Sequence, residues 1–507
     1  MGLTTVAVYS ECDRNALHVR LADEARAIGP DLAAESYLRI DKLIEAARVS
    51  GADGVHPGYG FLAENPEFAA ACGAAGLTFI GPTPGVMRTM GSKTNARDVA
   101  AAAGVPIVPG GTEAGLVGYP LLVKAVAGGG GKGMRVVRSA VELDAAVMLA
   151  RSEARSSFRD DRVYFERLID HPRHIEVQLL GDSHGAVVPF VERECSLQRR
   201  HQKLIEETPS PAVTPELRER LMGAAAAIGR AAGYMSAGTV EFLVDADHDF
   251  YFLEMNTRLQ VEHPVTEAVT GIDFVRAQIE IARGARLDAM ADVVPTFRSA
   301  AAGAHANGHA IEVRVYAEDP DEGFLPSPGR ITHLRPAAGP GIRDDSGAFE
   351  GWTVPTAYDP LISKVVAWAP DRRGAIARMV RALNEYDVRG ISTTIRFCRD
   401  LIASRDFDAA EFDTTYVDRL LSRDRNGRER SDEMEEIAAI AAALWAAREA
   451  ALKAAGLKAA GLKASTTSKA STTSEAGLKA STTLGVSTKS PSAETLWARQ
   501  ARLESLR

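Results

Sequence analysis

Five glycines lie within the six positions from Gly128 to Gly133, between a predicted strand at Leu121–Ala125 and a second at Met134–Arg138. The dinucleotide-binding fingerprint and the P-loop both lead from a strand into a helix, and the P-loop also needs Ser or Thr where this chain has Gly133. A glycine-rich turn between two strands is the other arrangement in which backbone N–H groups can cover phosphates. Taken alone, the segment is equally consistent with a loose surface hairpin.

A second hairpin is predicted where two β-rich runs flank a polar turn, at Gly238–Val244 and Phe250–Met255. A turn centred on Asp247 and His248 would place Glu241 directly opposite Glu254, with Cβ atoms about 4.5–5.5 Å apart. Two facing carboxylates repel each other unless a cation lies between them, and carboxylates together with phosphate oxygens are the usual ligands of Mg²⁺. The pair could also be two solvated glutamates, but the register favours the metal site.

The residues after this hairpin alternate in polarity. Every even position is polar, namely Glu254, Asn256, Arg258, Gln260 and Glu262. In an extended backbone these side chains would share one face. The mixture of carboxylates, amides and a guanidinium resembles a site for a small planar oxyanion with a base at its end.

A basic cluster ends the segment Glu194–Lys203, with Arg199, Arg200, His201 and Lys203. Such a cluster is either a solvated surface or the electropositive side of an anion site. The neighbouring metal and phosphate features favour the anion site.

The net charge of −8 argues against a nucleic-acid-binding protein. The four cysteines form no C-x-x-C pair, as expected for a reduced protein without a zinc site. The first residues do not show the basic stretch and apolar core expected of a secretory signal, and no apolar run reaches the roughly 20 residues of a membrane span. The sequence therefore predicts a soluble cytoplasmic protein that binds neither nucleic acid nor a membrane.

Four regions are expected along the chain. Residues 1–88 alternate strands and helices, which predicts a parallel sheet with crossover helices. The predicted strands are Thr4–Tyr9, Gly54–His56 and Leu77–Gly81, and the predicted helices are Ile40–Ser50 and Pro66–Ala75. Residues 89–298 have a mixed α and β pattern, residues 299–421 add strands, turns and a helix, and residues 422–507 are an Ala-rich helix and a low-complexity tail.

Taken together, these motifs resemble the biotin carboxylase family of ATP-grasp ligases, from about residue 3 to about residue 418. The resemblance rests on six segments in the family's order: His56–Asn65, Met90–Lys93, Gly128–Met134, Cys195–Lys203, Glu254–Glu267 and Phe324–Gly329. It implies a doubly wound N-terminal domain that lacks its first strand, an ATP-grasp domain with a glycine-rich lid at about 106–168, and a biotin-carboxylase-type C-terminal domain.

The resemblance also implies a reaction. The family uses ATP with Mg²⁺ (or Mn²⁺) to activate bicarbonate as carboxyphosphate, and then carboxylates biotin. No Met-Lys pair occurs in the chain, so biotin is expected on a separate carrier protein or domain. A carboxyltransferase subunit, as in an acyl-CoA carboxylase, is the other expected partner, and the transferase would choose the acyl-CoA.

The family's functional residues carry over to matching positions of this chain. The implied ATP-binding residues are Lys93, Lys124, Gly129, Gly130, Gly131, Glu166, Arg167, Ile169, His174, Gln198 and His201. Those implied to bind bicarbonate are Lys203, Arg258, Gln260 and Val261, and the metal ligands are Glu241, Glu254 and Asn256. Glu262 is expected to be the base that deprotonates bicarbonate and Arg314 the residue that stabilises the biotin enolate, with Lys203 and Arg258 assisting catalysis.

The chain departs from the family at its start and in the segment Pro109–Pro120, which is shorter than usual. The chain begins near the family's second strand, so a homodimer is expected only if loss of the first strand and helix permits it. Two alternatives remain open: an ATP-grasp ligase for another carboxylate, and a catalytically impaired structural subunit.

Overall fold

The computed structural model describes residues 1–126, 134–158, 160–290 and 306–427. The glycines at 128–133, the expected boundary at 298/299 and the tail from residue 428 lie outside this part of the chain. Met1–Arg425 forms one compact unit. Within the described ranges, no helix combines the length and the apolar character that crossing a membrane requires.

The N-terminal region contains two pairs of parallel strands, which confirms the predicted strand direction. One pair is β1 (Val6–Ser10) with β2 (Glu24–Gly29), and the other is β3 (Gly54–Val55) with β4 (Thr78–Phe79). The helices are α1 (Leu17–Leu21), α2 (Ile40–Ser50) and α3 (Pro66–Ala74). The prediction for α2 is confirmed in full, whereas β2 was not predicted.

Helices α4 (Pro84–Gly91) and α5 (Lys93–Ala102) lead into a small antiparallel sheet. Its elements are β5 (Gly110–Gly111), α6 (Ala114–Val117), β6 (Leu121–Ala125), β7 (Met134–Val137), α7 (Leu143–Phe158) and β8 (Val163–Arg167), with strand order β5-β8-β6-β7. Leu121 and Val123 of β6 pack with Val137 and Ala150 in its core. The two strands predicted around the glycines are therefore confirmed as an antiparallel pair.

The remaining elements up to residue 290 are β9 (Arg173–Gly181), β10 (Val187–Pro189), β11 (Arg193–Arg199), β12 (Gln202–Thr208), α8 (Pro215–Ala231), β13 (Ser236–Val244), β14 (Phe250–Asn256), α9 (His263–Thr270) and α10 (Phe274–Ala282). After residue 306 come β15 (His309–Tyr316), β16 (Glu318–Asp319), β17 (Leu325–Pro326), β18 (Gly329–Arg330), β19 (His333–Arg335), β20 (Ile342–Ser346), β21 (Thr353–Val354) and β22 (Leu361–Ala369). The last elements are α11 (Arg372–Glu385), β23 (Asp387–Arg389), α12 (Ile395–Ile402), α13 (Arg405–Asp408) and α14 (Tyr416–Gly427).

One large sheet organises the described part of the chain. Its strand order is β14-β13-β9-β11-β12-β15-β22-β20, with β10 beside β9. The antiparallel pairing of β12 with β15 joins strands from either side of residue 298. Strands of the second and third predicted regions are therefore neighbours in one continuous sheet.

The hairpin of β13 and β14 confirms that Glu241 lies opposite Glu254, but its turn differs from the prediction. Val244 pairs with Phe250, so the turn is centred on Asp247 alone. The Asp245 side chain fixes this turn by accepting hydrogen bonds from the backbone N–H groups of residues 247 and 249. A bulge at Leu253, between the pairs formed by Phe242 and Glu241, then shifts the register by one residue and restores the predicted pair.

Candidate active site

Lys203 lies at the centre of a buried group of carboxylates. Its Nζ donates hydrogen bonds to Glu176 Oε2 at 2.6 Å, Glu241 Oε1 at 3.0 Å and Glu262 Oε1 at 2.6 Å. These three carboxylates raise the pKa of Lys203 well above its ordinary value, although burial opposes the shift. The lysine is therefore a permanent cation, and it connects β9, β13 and the turn before α9.

Glu241 is surrounded by donors. Besides Lys203, its Oε1 accepts hydrogen bonds from Asn256 Nδ2 at 2.9 Å and Gln260 Nε2 at 2.8 Å, and its Oε2 lies 2.9 Å from His174 Nε2. Burial alone would raise the pKa of Glu241, but Lys203 and His174 hold it well below its ordinary value. Glu241 is thus ionised at neutral pH.

The pKa of Glu254 is shifted in the opposite direction from that of Glu241. Burial raises its pKa, the facing charge of Glu241 raises it further, and Lys93 only partly offsets these effects. A divalent cation beside both carboxylates would relieve this repulsion. The oxygen atoms of Glu241, Glu254 and Asn256 are the hard ligands that Mg²⁺ and Mn²⁺ accept, so the residues present fit such an ion.

The expected continuous polar strand from Glu254 to Glu262 is wrong, because β14 ends at Asn256. The chain leaves the sheet after Asn256. There Glu64 accepts hydrogen bonds from the backbone N–H of Thr257 at 2.8 Å and from Arg258 Nε at 3.0 Å. The following turn, and not a continued strand, places Gln260 beside Glu241 and Glu262 beside Lys203. Arg258 stays at its edge, with Nη2 3.3 Å from Asn256 Oδ1, and the Val261 carbonyl accepts a hydrogen bond from Lys364 at 3.0 Å.

Glu262 lies between two cations. Its Oε2 accepts a hydrogen bond from Arg314 Nη2 at 2.9 Å, in addition to the bond from Lys203. Burial would raise the pKa of Glu262, but Lys203, Arg314 and Arg193 hold it well below its ordinary value. Glu262 is therefore an ionised carboxylate at neutral pH, which is the state that a general base requires.

A second group of predicted residues lies where the small sheet meets the large one. Lys124 Nζ donates to Glu166 Oε2, and Arg97 Nη1 lies 2.6 Å from Glu166 Oε1. Burial lowers the pKa of Lys93, and the repulsion of Lys124 adds to this, while Glu254 and Glu166 oppose it. Two lysines and two glutamates thus influence one another electrostatically at this junction.

The other residues predicted to bind the nucleotide lie on several elements. The Arg167 backbone N–H donates to the Pro109 carbonyl at 2.8 Å, and Ile169 is buried after β8. Gln198 is paired with Lys203 across the hairpin of β11 and β12, and His201 is in the turn of that hairpin with a φ of 67°. Burial lowers the pKa of His201. Gly129, Gly130 and Gly131 lie outside the described residues.

Two residues of the network were missed by sequence reasoning. Glu176 on β9 lies directly opposite Glu241, and Arg193 is fully buried and donates to Glu176, to Gln178 at 2.9 Å and to Gln260 at 3.0 Å. Each lies in an ordinary alternating strand, so no local signal separates it from a surface residue. Only the pairing of β9 with β13, which are about 60 residues apart, brings Glu176 into the site.

Comparison with known proteins identifies the family. The models of the biotin carboxylase N-terminal domain, the ATP-binding domain of the carbamoyl-phosphate synthase L chain and the biotin carboxylase C-terminal domain match residues 1–87, 91–290 and 312–419. A biotin carboxylase of Nostoc sp. is 47% identical over 431 residues, which cover 83% of this chain and 94% of that protein. The mitochondrial methylcrotonoyl-CoA carboxylase subunit alpha of Rattus norvegicus is 46% identical over 429 residues, or 82% of this chain.

The chain spans 59% of the length of that rat subunit. Among solved structures, the biotin carboxylase domain dimer of Hydrogenobacter thermophilus 2-oxoglutarate carboxylase, in complex with MgADP, ADP and bicarbonate, superposes with a TM-score of 0.77 at 42% identity. That match covers 82% of this chain and 92% of the other. The chain has a multidomain α/β architecture, with N-terminal, ATP-grasp and C-terminal domains, and it belongs to the biotin carboxylase family.

Proposed function

We propose that this protein is the biotin carboxylase component of an acyl-CoA carboxylase. In the proposed reaction ATP phosphorylates bicarbonate to carboxyphosphate, and N1 of biotin on a carrier protein or domain is then carboxylated. The observation that carries the proposal is the position of Lys203, because one ammonium contacts both Glu241, at the candidate metal site, and Glu262, the candidate base. Phosphate activation and bicarbonate deprotonation would then occur within one connected site.

The nucleotide would lie at the junction of the two sheets. We assign phosphate contacts to Lys93 and Lys124 and to the glycines 129–131, and further nucleotide contacts to Glu166, Arg167, Ile169, His174, Gln198 and His201. Mg²⁺ or Mn²⁺ would be held by Glu241, Glu254 and Asn256, and the ion would offset negative charge on the phosphates. The N-terminal (1–88), ATP-grasp (89–298, lid 106–168) and C-terminal (299–421) domain boundaries are part of the same proposal.

Bicarbonate would lie beside Glu262. Lys203, Arg258, Gln260 and the Val261 backbone would hold the anion, and Glu262 would take its proton, because bicarbonate must lose a proton as it attacks the phosphorus. Arg314 would exchange its bond to Glu262 for the developing negative oxygen of biotin, which a fixed guanidinium stabilises. The acyl-CoA would be chosen by a carboxyltransferase partner, and the dimer of the related Hydrogenobacter domain supports a homodimer.

The test is ADP release measured with and without bicarbonate and free biotin. We expect the wild type to depend on both, and Glu262→Gln to lower turnover by about 10²–10⁴-fold, the usual contribution of a general base. Glu385→Gln, which changes a half-exposed glutamate of α11, is the matched control and should behave as the wild type.

Two results would refute the proposal in different ways. ADP release that ignores bicarbonate would indicate a ligase for another carboxylate. A folded wild-type protein without any turnover would indicate a structural subunit.

A further inference from the structure

A second pair of opposed glutamates lies farther along the large sheet. Glu206 of β12 and Glu312 of β15 are direct partners in neighbouring antiparallel strands, and both are 0% exposed. Opposed residues share a face, with Cβ atoms about 4.5–5.5 Å apart. The pair therefore repeats the geometry of Glu241 and Glu254.

The two pairs differ in the groups that compensate their charge. Glu241 is contacted by Lys203, His174 and two amides. Glu206 Oε1 accepts a hydrogen bond from Arg314 Nε at 2.6 Å, but Glu206 Oε2 and both carboxyl oxygens of Glu312 find no hydrogen-bond partner among the described residues. A buried carboxyl group without a partner is more stable protonated than charged.

The charged neighbours of Glu312 agree with this reading. Burial raises the pKa of Glu312 well above its ordinary value, Glu206 and Glu262 raise it further, and Lys364 of β22 and Arg314 only partly oppose the shift. Burial also raises the pKa of Glu206, to about 7, but its contact with Arg314 opposes that shift, so Glu312 is the member of the pair that holds the proton more strongly. Helix α9 covers this face, with Val265 and Val269 packed near Val366, the partner of Glu312 on β22.

Helix α9 adds no cation to this environment. Its titratable residues are His263 and Glu267. Burial lowers the pKa of His263 to about 3, so it is neutral, and Glu267 is paired with Arg343 at 2.7 Å.

We propose that Glu312 is a positioning residue for the carboxylation step: it remains a neutral carboxylic acid, so that Arg314 faces at most two ionised carboxylates, Glu206 and Glu262, instead of three. Glu206 anchors the guanidinium through Nε, while Nη2 can leave Glu262 for an anionic oxygen of the substrate. A third negative charge beside Arg314 would cancel the potential that attracts this oxygen. The identity of the oxygen rests on the proposed function, whereas the protonation of Glu312 does not.

The experiment compares the wild type with Glu312→Gln, Glu312→Ala and the matched control Glu207→Gln. Glu207 follows Glu206 on β12, is equally buried, and is paired with His309 at 2.7 Å and Arg372 at 2.7 Å. Infrared spectra at about pH 8.5, above the pKa of about 7 of Glu206, report the carbonyl stretch of protonated carboxylic acids, which ionised carboxylates lack. We expect Glu312→Gln to lose one such band and Glu207→Gln to lose none.

Kinetics supply the second readout. Glu312→Ala leaves a cavity beside Glu206, so Glu206 and the guanidinium that it anchors can shift. Because a displacement of about 1 Å at a site can cost about 10²-fold, we expect kcat/KM for biotin to fall about 10- to 100-fold, with the KM for ATP unchanged. Glu312→Gln is neutral and of the same shape as the acid, so it should restore most of the biotin-dependent rate.

An infrared spectrum of Glu312→Gln that keeps every band of the wild type would overturn the inference, as would a loss of biotin-dependent rate as large as that of Glu312→Ala. If Glu312→Ala does not fold, the infrared comparison decides by itself. A wild type without bicarbonate-dependent ADP release would refute the proposed function, while the spectra would still report whether Glu312 is protonated.

Discussion

Lys203 Nζ lies 2.6 Å from Glu262 Oε1, and the same nitrogen contacts Glu176 and Glu241. One ammonium therefore compensates three buried carboxylates that come from two strands and a turn. The local fold of the candidate site depends on this cation as much as its chemistry does.

Removing that cation should destabilise the protein. Lys203→Met leaves three buried carboxylates short of a partner, and we expect the free energy of unfolding to fall by about 3–5 kcal/mol, measured by urea denaturation. Arg88→Met, which breaks an exposed ion pair with Glu67, is the control and should change it by less than about 1 kcal/mol. Equal losses in both variants would contradict the central role of Lys203.

The requirement for a divalent ion should depend on Glu254. We expect Glu254→Gln to raise the Mg²⁺ or Mn²⁺ concentration for half-maximal ADP release by at least about tenfold, because a carboxylate ligand becomes a neutral amide. Asp249→Asn, in the exposed turn of the same hairpin, should leave the requirement unchanged. Chelation of the metal should stop the wild type. An unchanged metal requirement in Glu254→Gln would remove this residue from the site.

Acid stability should depend on His263, whose pKa is lowered by burial from 6.5 to about 3. The unfolded chain binds a proton at this histidine between those two values and the folded chain does not, so stability falls as the pH falls from 6.5 towards 3. We expect His263→Gln to lessen this loss, by up to about 5 kcal/mol at full effect. Unfolding measured at several pH values tests this, with the exposed His184→Gln as control. Parallel pH curves for His263→Gln and the wild type would contradict it.

The end of β9 should be packed too tightly to accept a side chain at Gly181. A Cβ at Gly181 would lie 2.1 Å from the backbone oxygen of Tyr234, and overpacking of this kind costs about 1–3 kcal/mol. We therefore expect Gly181→Ala to lower the melting temperature. Gly223→Ala in α8 meets no atom within 4 Å and should stabilise the helix by up to about 1 kcal/mol. A melting temperature unchanged by Gly181→Ala would show that the strand end can shift.

Local sequence patterns predicted the features that depend on near neighbours. The bounds of α2 and β6 and the opposition of Glu241 to Glu254 all follow from residues within about 15 positions of one another. A short turn limits how two strands can pair, so the register of a hairpin is largely a local property. The bulge at Leu253 was not predicted, because Phe250–Leu253 is an uninterrupted apolar run, in which no alternation of polarity marks a one-residue shift.

Tertiary structure alone decided which distant strands became neighbours. Glu176 meets Glu241 because β9 pairs with β13, and Arg314 reaches Glu262 because β15 joins β12 across the expected domain boundary. Such pairings are set by the packing of whole faces against a shared core, and the polarity pattern of one strand does not name its partner. The sequence by itself therefore determined the chemical groups and their local order, whereas the packed sheet determined which of them lie close enough to interact electrostatically.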